Sequence, residues 1–264
     1  QIDSLAEQYG TGMPKGEVIF QDILEDIKKK GKSKPYDCVV GVSGGTDSSF
    51  LIYKAATAWG LRPLAVHYDN TWNTASATMN IAKVLNPLNI DLKTLVVNNK
   101  EADDLIKSFF WAGVPEIDAP TDLGFAYLLR QVAAKHNIKY ILEGHSFVEE
   151  GITALGKNYF DGKYISEIHK KYGKDKMKTY PLMTFTRFIW SSLFHRVKFV
   201  RPLWYIQYSK SEAKKILVEK FDWEDYGGHH LENRIAAFCT RVYQPQKFEI
   251  DNRNMTLAAL VRNG

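Results

Sequence analysis

Cys38-Val39-Val40-Gly41-Val42-Ser43-Gly44-Gly45-Thr46-Asp47-Ser48-Ser49-Phe50-Leu51 is the stretch that decides the fold. Its apolar, β-branched opening reads as a buried strand, and its close reads as the start of a helix. Two glycines stand between them, where backbone angles and close approach forbidden to a Cβ are available. Consecutive N–H groups of such a turn converge on one anion, and the following helix N-terminus adds unpaired donors and the positive end of its dipole. Ser43, Ser48 and Ser49 can add hydroxyl donors. A cradle of this kind suits pyrophosphate. It is not a Walker A loop, because GxxxxGK[ST] is missing and the loop holds no lysine. It is not a dinucleotide fingerprint either, because GxGxxG is missing. The plainer alternative is a strand, a Gly-Gly turn and a Ser or Asp helix cap.

Outward from this loop, strand-like and helix-like stretches alternate. Residues 17–30 read as a helix stopped by Gly31, 36–42 as the first strand and 48–59 as a helix ended by Gly60. Residues 62–68 read as a strand, 73–88 as a helix, 90–97 as a strand and 100–111 as a helix. Residues 122–136 form a helix capped by Thr121 or Asp122, and 139–143 a short strand. This rhythm predicts an α/β fold, a parallel sheet covered by helices on both faces, with every strand C-terminus along one ligand-binding edge. Beyond residue 150 the alternation fades. Residues 151–200, rich in Tyr, Phe, Lys and Gly, read as a helical insertion. Helices are expected over 209–221, capped by Ser209, and over 231–243, with Pro245 beyond. Three parts result: an N-terminal helical segment (1–35), a nucleotide-binding α/β domain (36–150) and a mostly helical substrate-binding part (151–264).

The 264 residues are 45% apolar and 25% charged, with a net charge of +5. That balance suits phosphate-bearing ligands and is too mild to argue for nucleic acid. No apolar run approaches the roughly 18 residues of a membrane span, and no signal peptide opens the chain, so a cytoplasmic protein without a membrane partner is expected. Cys38 and Cys239 form neither a CxxC pair nor a zinc spacing.

Candidate site residues gather at the strand C-termini and in the segments after them. His67, Asp69 and Asn70 end the second strand at the same ligand-binding edge and are cofactor-binding candidates there. Gly144, His145 and Ser146 come after the 139–143 strand. Asp47 is the expected carboxylate near phosphate-bound Mg²⁺, with Glu150 as the second acidic candidate. Aromatic and basic residues of the insertion, including Tyr159, Lys163 and Tyr164, suit a sugar nucleotide. Gly228-His229-His230-Leu231-Glu232-Asn233-Arg234 is dense in polar groups: His229 and Glu232 are acid–base candidates, His230 and Arg234 substrate contacts.

The string Ser43-Gly44-Gly45-Thr46-Asp47-Ser48 resembles the signature of the PP-loop ATP pyrophosphatase superfamily, which includes NAD, GMP and asparagine synthetases and tRNA-modifying enzymes. The resemblance implies ATP as cosubstrate, transfer of AMP to a carbonyl oxygen with loss of pyrophosphate, and displacement of AMP by a nitrogen or sulfur nucleophile. Gly144-His145-Ser146-Phe147-Val148-Glu149-Glu150-Gly151-Ile152 is similar to a stretch of the N-acetyl sugar amidotransferases. So are Tyr159 to Ile165, Tyr226 to Arg234 and Lys247 to Arg253. These enzymes serve surface polysaccharide and flagellin sugar biosynthesis. The resemblance, which runs from about residue 36 onward, implies conversion of an acetamido group to an acetamidino group. Family members often carry an N-terminal cysteine cluster that looks like a metal site. This chain shows none, so no cysteine-ligated metal is expected in these residues. Neither cysteine resembles a glutaminase nucleophile; the resemblance implies ammonia from a separate glutaminase subunit, with ammonia from solution as the alternative. A tRNA-modifying enzyme, an NAD synthetase-like enzyme and a non-catalytic nucleotide-binding module are the alternatives.

Overall fold

A computed structural model describes residues 2–152, 161–228 and 231–262. Helices α1 (Ile2–Tyr9) and α2 (Pro14–Gly31) precede strand β1 (Cys38–Gly41), whose glycine-rich exit leads into α3 (Thr46–Thr57). The alternation continues through β2 (Pro63–Asp69), α4 (Ala75–Leu85), β3 (Leu92–Val96), α5 (Asn99–Ala112), α6 (Ala119–Lys135) and β4 (Tyr140–Leu142). The five-stranded sheet has the order β3-β2-β1-β4-β5 and is parallel throughout, with β5 formed by Lys198–Val200. From β1 the chain winds outward to β2 and β3, then crosses back to β4 on the other side of β1. The β1–β4 boundary is therefore the switch point at which open α/β sheets leave a crevice.

Both faces of the sheet are covered, as the near-continuous apolar strands require. Cys38 and Val40 point into one core, with Phe20, Leu24 and Ile27 of α2 and Leu51, Ile52 and Ala55 of α3. Val39, Leu64, Val66 and Ile141 point into the other, with Leu128, Leu129 and Val132 of α6. Each buried Leu or Ile withdrawn from water in these layers contributes about 1.5–3 kcal/mol.

The last part holds α7 (Phe147–Glu150), α8 (Gly162–Tyr172), α9 (Phe185–His195), α10 (Lys210–Phe221), α11 (Arg234–Phe238), α12 (Gln244–Phe248) and α13 (Asn252–Arg262). It also supplies β5 to the sheet and Ala213 and Leu217 of α10 to the first core. Residue 150 is thus not a boundary between the sheet and the helical part. Three local expectations change. Helix α6 begins at Ala119 after Asp118, one turn earlier than a Thr121 or Asp122 cap would allow, because Pro120 fits a first turn that needs no N–H from it. Ser209 sits at the start of α10, but its hydroxyl pairs with that of Ser211 (2.9 Å) and caps nothing. Past Phe238 a π turn (Cys239–Tyr243) joins α11 to α12, so Pro245 lies in a first turn instead of beyond the helix. No helix among the described residues is long and apolar enough to cross a membrane.

Candidate functional site

The loop after β1 is fixed by its glycines and braced by its serines. Gly44 has φ +81°, and a Cβ there would stand 2.1 Å from the carbonyl oxygen of Ala77. Ser43 N–H donates to Ser48 Oγ (3.3 Å), Gly45 N–H to Ser43 Oγ (3.2 Å), and Ser48 Oγ to Gly45 O (3.3 Å). The helical ladder of α3 begins with Ser49 N–H donating to Gly45 O (3.1 Å), and no side chain caps the N-terminus. The earlier N–H groups of this turn have no intrahelical acceptor, which is the arrangement that binds anions.

This N-terminus opens on a cavity of about 530 Å³, within the roughly 300–1,000 Å³ of small-molecule sites. Ser43, Gly45, Thr46, Asp47 and Ser48 form one wall, while Gly44 and Ser49 do not reach it. Gly144, His145 and Glu150 line it from beyond β4, Arg201 from beyond β5 and Lys210 from the start of α10. Asp122 and Phe125 of α6 close one side, and Tyr226, Gly228 and Glu232 another.

Charge in the cavity is paired. Lys210 Nζ lies 2.6 Å from Asp47 Oδ2 and 3.3 Å from Glu150 Oε1. The Tyr208 hydroxyl donates to Asp47 Oδ1. Burial opposes charge on Lys210, but Asp47 and Glu150 together outweigh it and raise its pKa. Trp204 Nε1–H donates to His145 Nδ1 (3.1 Å), which leaves the proton of the neutral ring on Nε2, 3.8 Å from Glu150 Oε2. Burial, helped by nearby Arg201, pushes the His145 pKa down to about 4, so the ring is neutral at physiological pH. Arg201 donates to Glu143 (2.9 Å) and stacks 4.9 Å over the Trp204 ring.

Two segments carry their residues into the wall by backbone pairing. Thr74 N–H donates to Glu232 O and Arg234 N–H to Trp72 O (2.9 Å each), and Asn233 bonds Asn70 and Asn73. This seats Glu232 and Tyr226 beside Gly45: a Cβ there would lie 3.2 Å from the Tyr226 hydroxyl and 3.4 Å from Glu232 Oε1. Gly144 likewise meets protein, since a Cβ on it would lie 3.0 Å from the carbonyl carbon of Asp47. Its bareness serves the packing of the β4 exit against the loop after β1.

Several expected ligand contacts are turned inward. His67 Nδ1–H donates to Val42 O (2.9 Å) and its Nε2 faces the Asn73 amide (3.4 Å), so it pins the strand exit. Asp69 accepts from Thr71 N–H in a local turn. Asn70, 1% exposed, bonds Thr121, Trp72 and Asn233. Ser146 is buried ahead of α7 and does not reach the cavity. Lys163 is exposed on α8, Tyr164 packs edge-on against Phe109 in a separate core, and Arg234 is exposed. Tyr159, His229 and His230 lie outside the described residues. The residues that sequence reasoning missed are Lys210, Arg201, Tyr208 and Trp204. Their only local signals were a lysine at a helix start and Arg201-Pro202 after a strand too short to recognise.

The donor set fits magnesium held mainly by phosphate. Asp47 and Glu150 converge on one cationic point, now the Lys210 ammonium, and Mg²⁺ prefers one or two carboxylates plus phosphate oxygens. Among the described residues no group of three or more His, Cys, Asp or Glu forms a protein-only metal site.

No protein-family model matches the chain, and no curated protein matches it. Similar solved structures include NMN synthetase from Francisella tularensis, at 14% identity and TM-score 0.38, covering 80% of this chain and 97% of that one. The NH3-dependent NAD synthetase from Campylobacter jejuni, in complex with nitrate, has 14% identity and TM-score 0.45, covering 94% of each chain. The U34-tRNA thiolase NcsA from Methanococcus maripaludis, with its 4Fe-4S cluster, has 12% identity and TM-score 0.39, covering 94% of this chain and 79% of that one. Likeness at this level does not extend to substrate.

Proposed function

We propose that the chain is a PP-loop ATP pyrophosphatase that activates an amide for attack by ammonia. The observation that carries this reading is the uncapped N-terminus of α3, opening on a cavity whose wall also holds Lys210, Arg201, Asp47 and Glu150. Backbone N–H groups and two cations suit the β- and γ-phosphates. Asp47 and Glu150 would hold a magnesium ion, which neutralises phosphate charge when bound. The chain's own work is to hold ATP and the acceptor amide together, exclude water and stabilise charge at the α-phosphate.

The reaction balances in two steps. The amide oxygen attacks the α-phosphorus, the bond to the β-phosphate oxygen breaks, and pyrophosphate leaves. Ammonia adds to the resulting imidate carbon, AMP leaves with the former amide oxygen, and loss of a proton gives the amidine. Glu150, which lies 3.8 Å from His145 Nε2 on the cavity wall, is placed to take that proton.

An N-acetyl sugar is the acceptor we favour, with acetamidino sugar as product, in surface polysaccharide biosynthesis in the cytoplasm. Support comes from the strings similar to sugar amidotransferases. Gly144, His145, Glu150, Tyr226, Gly228 and Glu232, all from those strings, line the cavity. Ammonia would come from a separate glutaminase. Both cysteines are buried, and burial pushes the Cys239 thiol up to about 12 and Cys38 higher still, so neither is a glutaminase nucleophile.

The test measures AMP and pyrophosphate release from ATP with ammonia and a panel of UDP- and CMP-linked N-acetyl sugars. Sugar-dependent release, with a product bearing NH in place of O, is the expected result. Release only with tRNA would replace the acceptor and keep the phosphate chemistry. ADP and phosphate as products would overturn the reading.

A further inference from the structure

Helix α9 stands on the surface without a buried residue. Phe185, Ile189 and Leu193 recur at i, i+4 and i+8, flanked by Trp190 and Phe194, so they share one outward stripe. Phe185, Trp190, Leu193 and Phe194 are each 60–65% exposed. A helix with this many large apolar side chains in water needs a partner surface. The other flank of α9 faces α6 across a groove of about 440 Å³ lined by Arg130, Arg187 and His195.

Charge around the stripe has one sign. From Leu123 to Leu142 and from Lys176 to Ser211 the chain holds no Asp or Glu. Those stretches include α6 beyond its first turn, α9 and β5. Lys135, Arg187 and Arg196 are exposed on them, whereas Lys198 turns to the opposite face of the sheet, over Tyr140. Arg130 sits between the rings of Phe188 and Phe199, 4.7 Å from each. The nearby carboxylate of Glu143 is hydrogen-bonded to Arg201.

We propose that α9 and the adjoining flank of α6 form a peripheral docking face for an anionic lipid surface. The stripe projects as a ridge of aromatic and aliphatic side chains, a shape that enters a fluid interface. Exposed lysines and arginines beside it meet anionic headgroups, which supplies the second of the two signals that stable peripheral binding requires. A second copy of the chain fits less well, because a twofold interface sets the same patch against itself and would bring cations against cations. No span is implied: the helix lies along the interface.

The test is co-sedimentation of the whole chain with vesicles of phosphatidylcholine alone and with vesicles containing phosphatidylglycerol, at low and at physiological salt. Binding to the anionic vesicles, weakened by salt, is expected. Leu193→Glu and Phe185→Glu should each reduce it by about tenfold or more, and Lys135→Gln with Arg196→Gln by a smaller factor. These side chains are exposed, so thermal melting of the variants should match the parent. Three results would overturn the proposal: no sedimentation, equal sedimentation with neutral vesicles, or a dimer in light scattering that Leu193→Glu dissociates.

Discussion

The Lys210 ammonium lies 2.6 Å from Asp47 Oδ2, bringing the first turn of α10 onto the first turn of α3. Both side chains are mostly buried, at 21% and 17% exposed, and Glu150 shares the same cation. Lys210 is thus the counter-ion of two carboxylates. In the proposed reaction it would also be one of the cations available to the phosphates. One residue would then serve both the stability of the site and its charge towards ATP.

Lys210→Met should separate these roles. It leaves Asp47 and Glu150 facing one another without their shared cation. Breaking a fully buried pair costs about 3–5 kcal/mol, and partial exposure here reduces the expected loss to about 1–3 kcal/mol. Magnesium should recover part of that loss, because the freed carboxylates form a cation site. Thermal melts with and without Mg²⁺ read this directly. An Mg²⁺ shift no larger in Lys210→Met than in the parent would refute the view that Asp47 and Glu150 share a metal. Pyrophosphate release should fall by about 100-fold or more.

Gly44→Ala tests the loop itself. The residue would have to hold φ +81°, and its Cβ would meet Ala77 O at 2.1 Å. Strain of this kind costs on the order of 1–3 kcal/mol, and relief requires moving the loop away from α4. ATP-dependent pyrophosphate release should drop by about 100-fold while the circular dichroism spectrum is kept. An active Gly44→Ala enzyme would remove the loop from the phosphate site.

His145 gives a pH signature. Its folded pKa is pushed down to about 4 from 6.5, burial being the main cause. Between those values the unfolded chain binds a proton that the folded chain refuses, so stability falls as pH drops through that window. His145→Gln keeps an acceptor for Trp204 Nε1–H and removes the titration. The drop in melting temperature between pH 7 and pH 5 should therefore be smaller in His145→Gln than in the parent. An identical drop would mean that His145 is not the group responsible.

How much of this was legible in the sequence depends on whether a residue's role is local. The strand–turn–helix form of the loop after β1 was readable because Gly44, Gly45 and the serines act on their own backbone. Strand alternation was readable because β1, β2 and β4 are buried on both faces and rich in Val, Ile and Leu. Lys210, Arg201 and Tyr208 were not readable. They reach Asp47 and Glu143 only through the return of β5 to the sheet, and a three-residue strand carries no period. His67 and Asn70 were misread for the converse reason: a polar strand end resembles a ligand site until the competing acceptors, Val42 O and Thr121 Oγ1, are in place.

A carboxylate clamp in α5 carries the last prediction. Glu101 accepts from the backbone N–H groups of Thr179 and Tyr180 (2.9 Å each) and from the Thr179 hydroxyl (3.2 Å). One turn on, Asp104 accepts from the N–H groups of Lys174 (2.9 Å) and Asp175 (3.0 Å) and faces His169 Nε2 at 3.0 Å. Together they tie the irregular segment 173–180 to the sheet domain, ahead of α9 and β5. Burial alone would raise both carboxyl pKa values, but these hydrogen bonds outweigh it and lower them. The resulting stability is present above the ordinary carboxylate range and is lost as pH falls through the lower folded values. Glu101→Gln trades one acceptor oxygen for an NH₂ facing backbone donors, at a cost of about 1–3 kcal/mol near neutral pH. Urea unfolding at pH 7 and at pH 4 should show the gap between parent and variant narrowing with acid, because protonation takes from the parent what the substitution has already removed. A gap that stays constant across that range would assign the loss to packing and not to the charged acceptor.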